Sequence, residues 1–337
     1  MNKIGFACKF IDHPDQVNGI KATDSAKQYN TNTTTVAWLS RQTRKTAEEK
    51  LWSIIKHNTT ATRKLVQKVG TLNEHLRMVR LSSDILPVYT HTDWNYFYRL
   101  PDVVAFMEHN FKQIGLCARD NNVRLSFHPG QFCVLASDRA DVVENSIAEF
   151  EYHADMARWM GFGQSFQDMK INVHVSGKLG AAGFRAAYNR LSDVAKNCIT
   201  VENDEHVFGL DQCLDLADLC PIVLDIHHHW VKTGEYIEAN DQRLQTVVES
   251  WRGIVPVIHY SNSQESIWSM DYSNVRPDYK LLLESGVKRG NLRAHSDFYI
   301  NSELNRWALT HLSWANIMAE AKGKNLAAKK LFEESLL

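Results

Sequence analysis

At 337 residues, with 44% hydrophobic and 23% charged side chains, the chain has the balance of a folded protein able to bury a sizeable core, which excludes a disordered polymer. A formal net charge of −1 excludes a general electrostatic pull toward nucleic acid, so any DNA contact needs a local basic surface or bound cations. The six cysteines form no Cys-x-x-Cys pair, no apolar run approaches the roughly 18 residues of a membrane span, and the N-terminus MNKIGFACKFIDHPD lacks a signal-peptide core, which together predict a soluble cytoplasmic protein with reduced thiols and no membrane partner.

Short apolar or β-branched runs alternate with longer stretches at helical spacing, the pattern of a parallel α/β sheet or barrel. A strand over residues 3–7 is followed by the polar stretch 24–35 and a helix over 46–69. Strand 78–82 leads to helix 103–121, strand 123–127 to helix 140–160, and strand 170–175 to helix 181–194. Strand 198–202 is followed by helix 210–219, and strand 222–225 by helix 242–252. Strand 255–260, a long connection over 261–290, strand 292–295 and a terminal helix over 308–332 complete the chain. With eight strand candidates and neither a linker nor an internal repeat, the expected fold is α/β, a TIM (β/α)8 barrel forming one domain over residues 1–337.

Almost every strand candidate ends in a side chain able to bind a divalent ion. These are His91 after the second, His128 after the third in LSFHPGQF, His174 on the fourth and Glu202 on the fifth in ITVENDE. Asp225 and His228 close the sixth in LDIHHH, His259 the seventh and His295 the eighth. A single histidine at a strand end is more often a hydrogen-bonded structural residue. As a set in a closed barrel, however, these groups converge on one mouth, where imidazoles and carboxylates without a cation are poorly satisfied. Imidazole with carboxylate and no thiolate suits Zn²⁺, Mn²⁺ or Fe²⁺, and the ligand number implies two or three ions. Clustered divalent ions suit phosphodiester hydrolysis better than sugar isomerisation, which leans on carboxylates and a lysine. His227 and His229, which flank His228, read as structural residues or as groups supporting the ligands from behind. His57, His75, His109, His153, His206 and His311 read as solvated or capping residues, and Trp94, Tyr96, Phe97 and Tyr98 as core rather than a base-stacking wall.

The motifs RLSSDILP, HPGQF, VENDE, DIHHH, HSDFYI and MAEAKGK, in this order over nearly the whole chain, resemble the UV damage endonuclease family, relatives of endonuclease IV. The resemblance implies a TIM barrel with a cluster of metal ions, manganese foremost and zinc as the alternative. The implied activity is DNA excision repair by a monomer that nicks double-stranded DNA 5′ to UV photoproducts and related lesions. It places metal ligands on His128, His174, Glu202, Asp225, His228, His259, His295 and Glu320, and catalytic roles on His91, Glu202, His259 and Glu320. Only the resemblance distinguishes Glu320 from a solvated helix charge. By analogy with endonuclease IV, His128, His174 and Glu202 hold one ion, Glu202, Asp225, His259 and Glu320 a second, and His228 with His295 a third.

The chain also departs from the family pattern. The Gln-Tyr pair that probes the duplex after the HPG turn reads Gln131 and Phe132, which keeps a planar wedge without the hydroxyl, and Phe6 replaces an N-terminal tyrosine as a third lesion-probing position. Where the family has a lysine at the metal cluster, two residues before the histidine of the seventh strand, this chain has Val257, with Lys178 as one candidate to fill the gap. An abasic-site endonuclease and a lesion-binding relative with reduced turnover are the alternative functions.

Overall fold

Eight short runs pair as strands: β1 Ile4–Ala7, β2 Met78–Arg80, β3 Arg124–Phe127, β4 Lys170–His174, β5 Ile199–Glu202, β6 Ile222–Val223, β7 Val257–Tyr260 and β8 Asn316–Ala319. They belong to a computed structural model that describes residues 2–267 and 274–337. All neighbours are parallel, in the order β6-β5-β4-β3-β2-β1-β8-β7. The ends meet through one parallel bridge between Asp225 and His259, supported by the His259 N–H donating to Leu224 O at 2.9 Å. The sheet is therefore a TIM barrel, and the bridge that closes it sets two of the expected ligands side by side.

Each strand is buried on both faces, since helices cover the outside and side chains fill the inside. The barrel floor is largely apolar, with Ala7, Met78, Val223, Val257 and Met318 packed against Trp251, and Lys170 and Ser126 are polar side chains that share it. Toward the C-terminal ends of the strands the inward positions turn polar. On β4, Ile171 and Val173 join the large outer core while Asn172 and His174 alternate with them. The long helices Arg44–Gly70, Pro101–Asp120 and Ala140–Trp159 match the expected 46–69, 103–121 and 140–160. The expected 181–194 divides into Gly180–Asn189 and Asp193–Cys198, the second begun by a Ser192 side chain that accepts from Ala195 N–H.

Two sequence expectations are corrected. Residues 292–295 are not the eighth strand: Leu292 ends the short helix Arg289–Leu292, and His295 reaches the barrel mouth through an antiparallel bridge to Ser263. The expected helix 308–332 breaks into Ser302–Thr310, the strand β8 and Lys324–Glu334. Asn-Ile-Met-Ala has helix-forming composition, and its burial on both faces between β1 and β7 overrides local preference. Glu320 thereby becomes a strand-end residue. The expected long connection 261–290 is present as irregular chain and short helices, with residues 268–273 outside the described residues.

Two histidines expected at the surface are core residues. His153 and His311 are fully buried. His153 Nδ1 donates to Glu149 O at 2.8 Å and leaves Nε2 to the Ser83 hydroxyl at 2.9 Å, on the loop that backs His128. Burial lowers both imidazoles to about 4. A base whose folded pKa lies below its unfolded value of about 6.5 contributes stability that is complete above pH 6.5 and is lost as pH falls toward 4. The urea midpoint is accordingly expected to fall steadily between pH 6.5 and pH 4, and replacing His153 with glutamine should reduce that slope.

Candidate metal centre

The mouth of the barrel gathers three overlapping groups of side chains whose ligand atoms lie within 4.8 Å of one another: His128, His174 and Glu202; Glu202, Asp225 and His228; Asp225, His259 and Glu320. Glu202 lies at the centre. Its Oε2 is 3.3 Å from His128 Nε2 and 3.1 Å from His259 Nδ1, and its Oε1 is 3.5 Å from His228 Nδ1. His259 Nδ1 is also 3.3 Å from Glu320 Oε1.

Local sequence explains how each group arrives. His128 follows β3 at the Pro129-Gly130 turn, and its Nδ1 donates to Pro129 O at 3.0 Å, which leaves Nε2 free to face Glu202. Asp225 caps the helix Ile226–Thr233: one carboxylate oxygen accepts from His228 N–H at 2.7 Å, and Gly234 at φ 76° ends the helix. The HHH run is therefore helical rather than a strand end, and its spacing turns His228 toward the site while His227 and His229 point into the protein. There His227 Nε2 donates to Leu292 O, and His229 meets Glu235. Both rings are thus held by protein partners away from the cluster. His295 Nδ1 donates to Glu320 O at 2.9 Å, but His295 lies outside the three groups, and His228 falls with Glu202 and Asp225.

Four residues that the sequence reading did not single out complete the site. Asn203 exchanges hydrogen bonds with the Asp225 backbone and offers its carbonyl to His228 Nδ1, so it joins β5 to β6. Asn172 donates to Glu202 and accepts from Thr200. Arg80, at the end of β2, pairs with Glu320. Lys170 Nζ lies 2.9 Å from His259 Nε2. Arg80, Lys170 and Asn172 occupy inward positions of strands whose alternate residues are apolar, and that inverted alternation was the available signal.

The electrostatics are those of a site built for cations. Burial pushes the Asp225 carboxyl well above the usual carboxylate range, with Glu202 and Glu320 adding to the effect and His228 opposing it. Glu202 is buried too, yet the imidazoles of His259 and His174 hold its carboxyl well below that range. Burial opposes protonation of His228 as well, but Asp225 and Glu202 raise it to about 9. His174 Nδ1, Asp225 Oδ2 and His259 Nδ1 are buried and have no hydrogen-bond partner among the described residues. Each such orphan costs about 1–3 kcal/mol, a penalty relieved when a cation accepts the lone pair. The residues present thus fit divalent ions with nitrogen and oxygen ligands.

The remaining expected positions divide. Gln131 and Phe132 are exposed on the loop after His128, Phe132 at 84% of its surface. Phe6 is a correction: at 2% exposure in the core behind β1, its ring cannot reach a duplex. Lys178 pairs with Asp138 at the surface and does not fill the place beside Val257. His91 sits in the turn after β2 with Nδ1 accepting from Asp93 N–H, outside the three groups. Trp94, Phe97 and Tyr98 are core residues, as expected. Beside the cluster opens a cavity of about 620 Å³ lined by Gln131, His174, Lys178, Glu205, His228 and Arg293.

Comparison with known proteins identifies the family and agrees with the fold. The family model described as UV-endonuclease UvdE matches residues 17–336. A UV DNA damage endonuclease of Bacillus velezensis is 29% identical over 88% of this chain and 85% of its own length, and one from Bacillus cereus is 27% identical over the same shares. Among solved structures, SacUVDE superposes with a TM-score of 0.70 at 23% identity over 99% of this chain and 97% of its own. Endonuclease IV from Thermus thermophilus superposes with a TM-score of 0.51 at 14% identity over 81% of this chain and 93% of its own.

Proposed function

Because the chain belongs to the UV-endonuclease UvdE family, we propose that it is a metal-dependent DNA repair endonuclease that cuts double-stranded DNA on the 5′ side of UV photoproducts and related lesions. The observation that carries this reading is the Glu202-centred cluster, with its orphaned ligand atoms at the open end of the barrel. Divalent ions bound there, manganese foremost, supply Lewis acidity and neutralise charge developing on a phosphodiester.

In this reading His128, His174 and Glu202 hold one ion and Asp225, His259 and Glu320 a second, with Glu202 between them. His228 and His295 border a third position, and His91 is a further group at the active site. Gln131 and Phe132 probe the duplex. An exposed phenyl ring a few residues beyond a ligand has no packing role to explain it, and a ring inserted at a weakened base step recovers stacking. Lys178 and Arg293, on the cavity rim, each face a carboxylate, Asp138 and Glu205, so in this reading the positive charge that attracts the phosphate backbone comes mainly from the bound ions. The protein acts as a cytoplasmic monomer.

The test is nicking of UV-irradiated plasmid by Mn²⁺-loaded protein, with the cut mapped on oligonucleotides carrying a single photoproduct or a single abasic site. Cleavage 5′ to the photoproduct is expected; cleavage confined to the abasic site, or binding without cleavage, rejects the reading. Phe132→Ala is expected to leave metal content unchanged and to raise KM for damaged DNA by roughly 5- to 150-fold, the range of one lost base-stacking contact. Equal KM for the two proteins would remove Phe132 from lesion probing.

A further inference from the structure

An imidazole that binds a metal through one nitrogen needs the other held by a partner, which fixes the ring's orientation. Three histidines at the mouth follow this rule through backbone carbonyls, those of Pro129 for His128, Asn203 for His228 and Glu320 for His295. His259 does not. It is fully buried, its Nδ1 faces Glu202 and Glu320, and its Nε2 meets the amine of Lys170 at 2.9 Å.

Lys170 is an unusual residue to find there. It begins β4, points into the barrel on the same side as Asn172 and His174, and is 2% exposed. Its surroundings on the barrel floor include Met78, Ser126, Val257 and Met318, and among the described residues no carboxylate lies within 4.0 Å of its Nζ. A methionine would fill this space without desolvating an amine, and burying a polar group without adequate partners is unfavourable. The amine's contact with His259 is what distinguishes the residue from such a filler. Val257, two residues before His259 on the same strand, faces the same space with a side chain that offers no hydrogen bond.

We infer that Lys170 is a positioning residue of the metal centre: reaching across the barrel floor from β4, it fixes the His259 ring so that Nδ1 is presented to the ion position shared with Asp225 and Glu320. The inference rests on the proposal that the cluster binds metal. It also assigns the two halves of the cluster different dependence on Lys170, because the group of His128, His174 and Glu202 does not use His259.

The experiment is calorimetric titration of Mn²⁺ into metal-free wild type, Lys170→Met and Lys170→Gln, with circular dichroism to establish folding. Methionine preserves the reach and volume without the amine; glutamine keeps a hydrogen-bonding group on a shorter side chain. In the methionine variant, one Mn²⁺ site is expected to weaken by 10- to 100-fold while the other stays within about twofold. The glutamine variant should fall between, and it carries the test alone if the methionine variant does not fold. Wild-type affinity at every site in a folded variant overturns the inference, as does an equal loss at all sites, which would mark a general structural role. A wild-type protein that takes up no Mn²⁺ overturns the metal-centre reading and this inference with it, whereas a wild type that binds and a variant that binds identically overturn this inference alone.

Discussion

Glu202→Gln is expected to reduce nicking of damaged DNA by about ten-thousandfold or more, equivalent to roughly 5–6 kcal/mol of lost transition-state stabilisation, and to weaken metal binding at both ends of the cluster together. The size of the effect follows from its position. Glu202 belongs to two of the three ligand groups, and its two oxygens face His128, His228 and His259. Glutamine keeps the volume and the contact with Asn172 but brings an amide N–H to an oxygen position that faces imidazole nitrogens. Among the described residues no backbone cap or strand pairing depends on the side chain, so the protein should fold. Metal analysis and nicking rate on one preparation check both parts; a variant with full metal content and low activity would make Glu202 a purely chemical group, and near-normal activity would refute its central role.

Asp225→Asn is expected to separate the helix cap that the Asp225 carboxylate provides from the metal binding proposed for it. The oxygen that caps the helix Ile226–Thr233 survives in asparagine, which is as good an N-cap as aspartate, so the helix and the position of His228 should be retained. The other oxygen, buried and without a hydrogen bond among the described residues, becomes an amide. Burial already pushes the Asp225 carboxyl well above its usual range, so the metal-free variant should be at least as stable as metal-free wild type. The difference appears on adding Mn²⁺. A ligand at 100 to 1,000 times its Kd stabilises a folded protein by about 3–4 kcal/mol, and the variant should lose much of that increment together with about a thousandfold in nicking rate. Thermal melts with and without metal read the first effect; an unchanged metal-induced shift would show that Asp225 only caps the helix.

How far the sequence led can be judged from particular residues. The first seven strands were legible because each is a short apolar run flanked by helical spacing, and the barrel and the nuclease family followed from their number and from the motif order. The eighth strand was hidden by its composition: Asn316–Ala319 carries no β-branched run beyond one isoleucine and is preceded and followed by helix formers. Glu320 was therefore known only through resemblance, although it ends a strand like its partners. Asp225 and His228 were found, but a run of three histidines after a strand gave no sign that a helix begins there, because the capping role of Asp225 depends on three-dimensional geometry.

What the sequence could not give was pairing across the barrel. Lys170 and His259 are 89 residues apart and Arg80 and Glu320 are 240 apart, and no local pattern connects them. Phe6 illustrates the opposite error. Its place in a family motif suggested contact with DNA, whereas its position within β1, pointing outward against the surrounding helices, buries it. Phe132, by contrast, is exposed on the loop after His128.

The most direct measurement is anomalous scattering at the manganese edge from crystals grown with Mn²⁺. Two or more peaks at the barrel mouth are expected, one among His128, His174 and Glu202 and one among Asp225, His259 and Glu320, close enough for Glu202 to contact both. A mouth without any peak, its carboxylates neutralised only by Arg80, Lys170 and the imidazoles, would contradict the account.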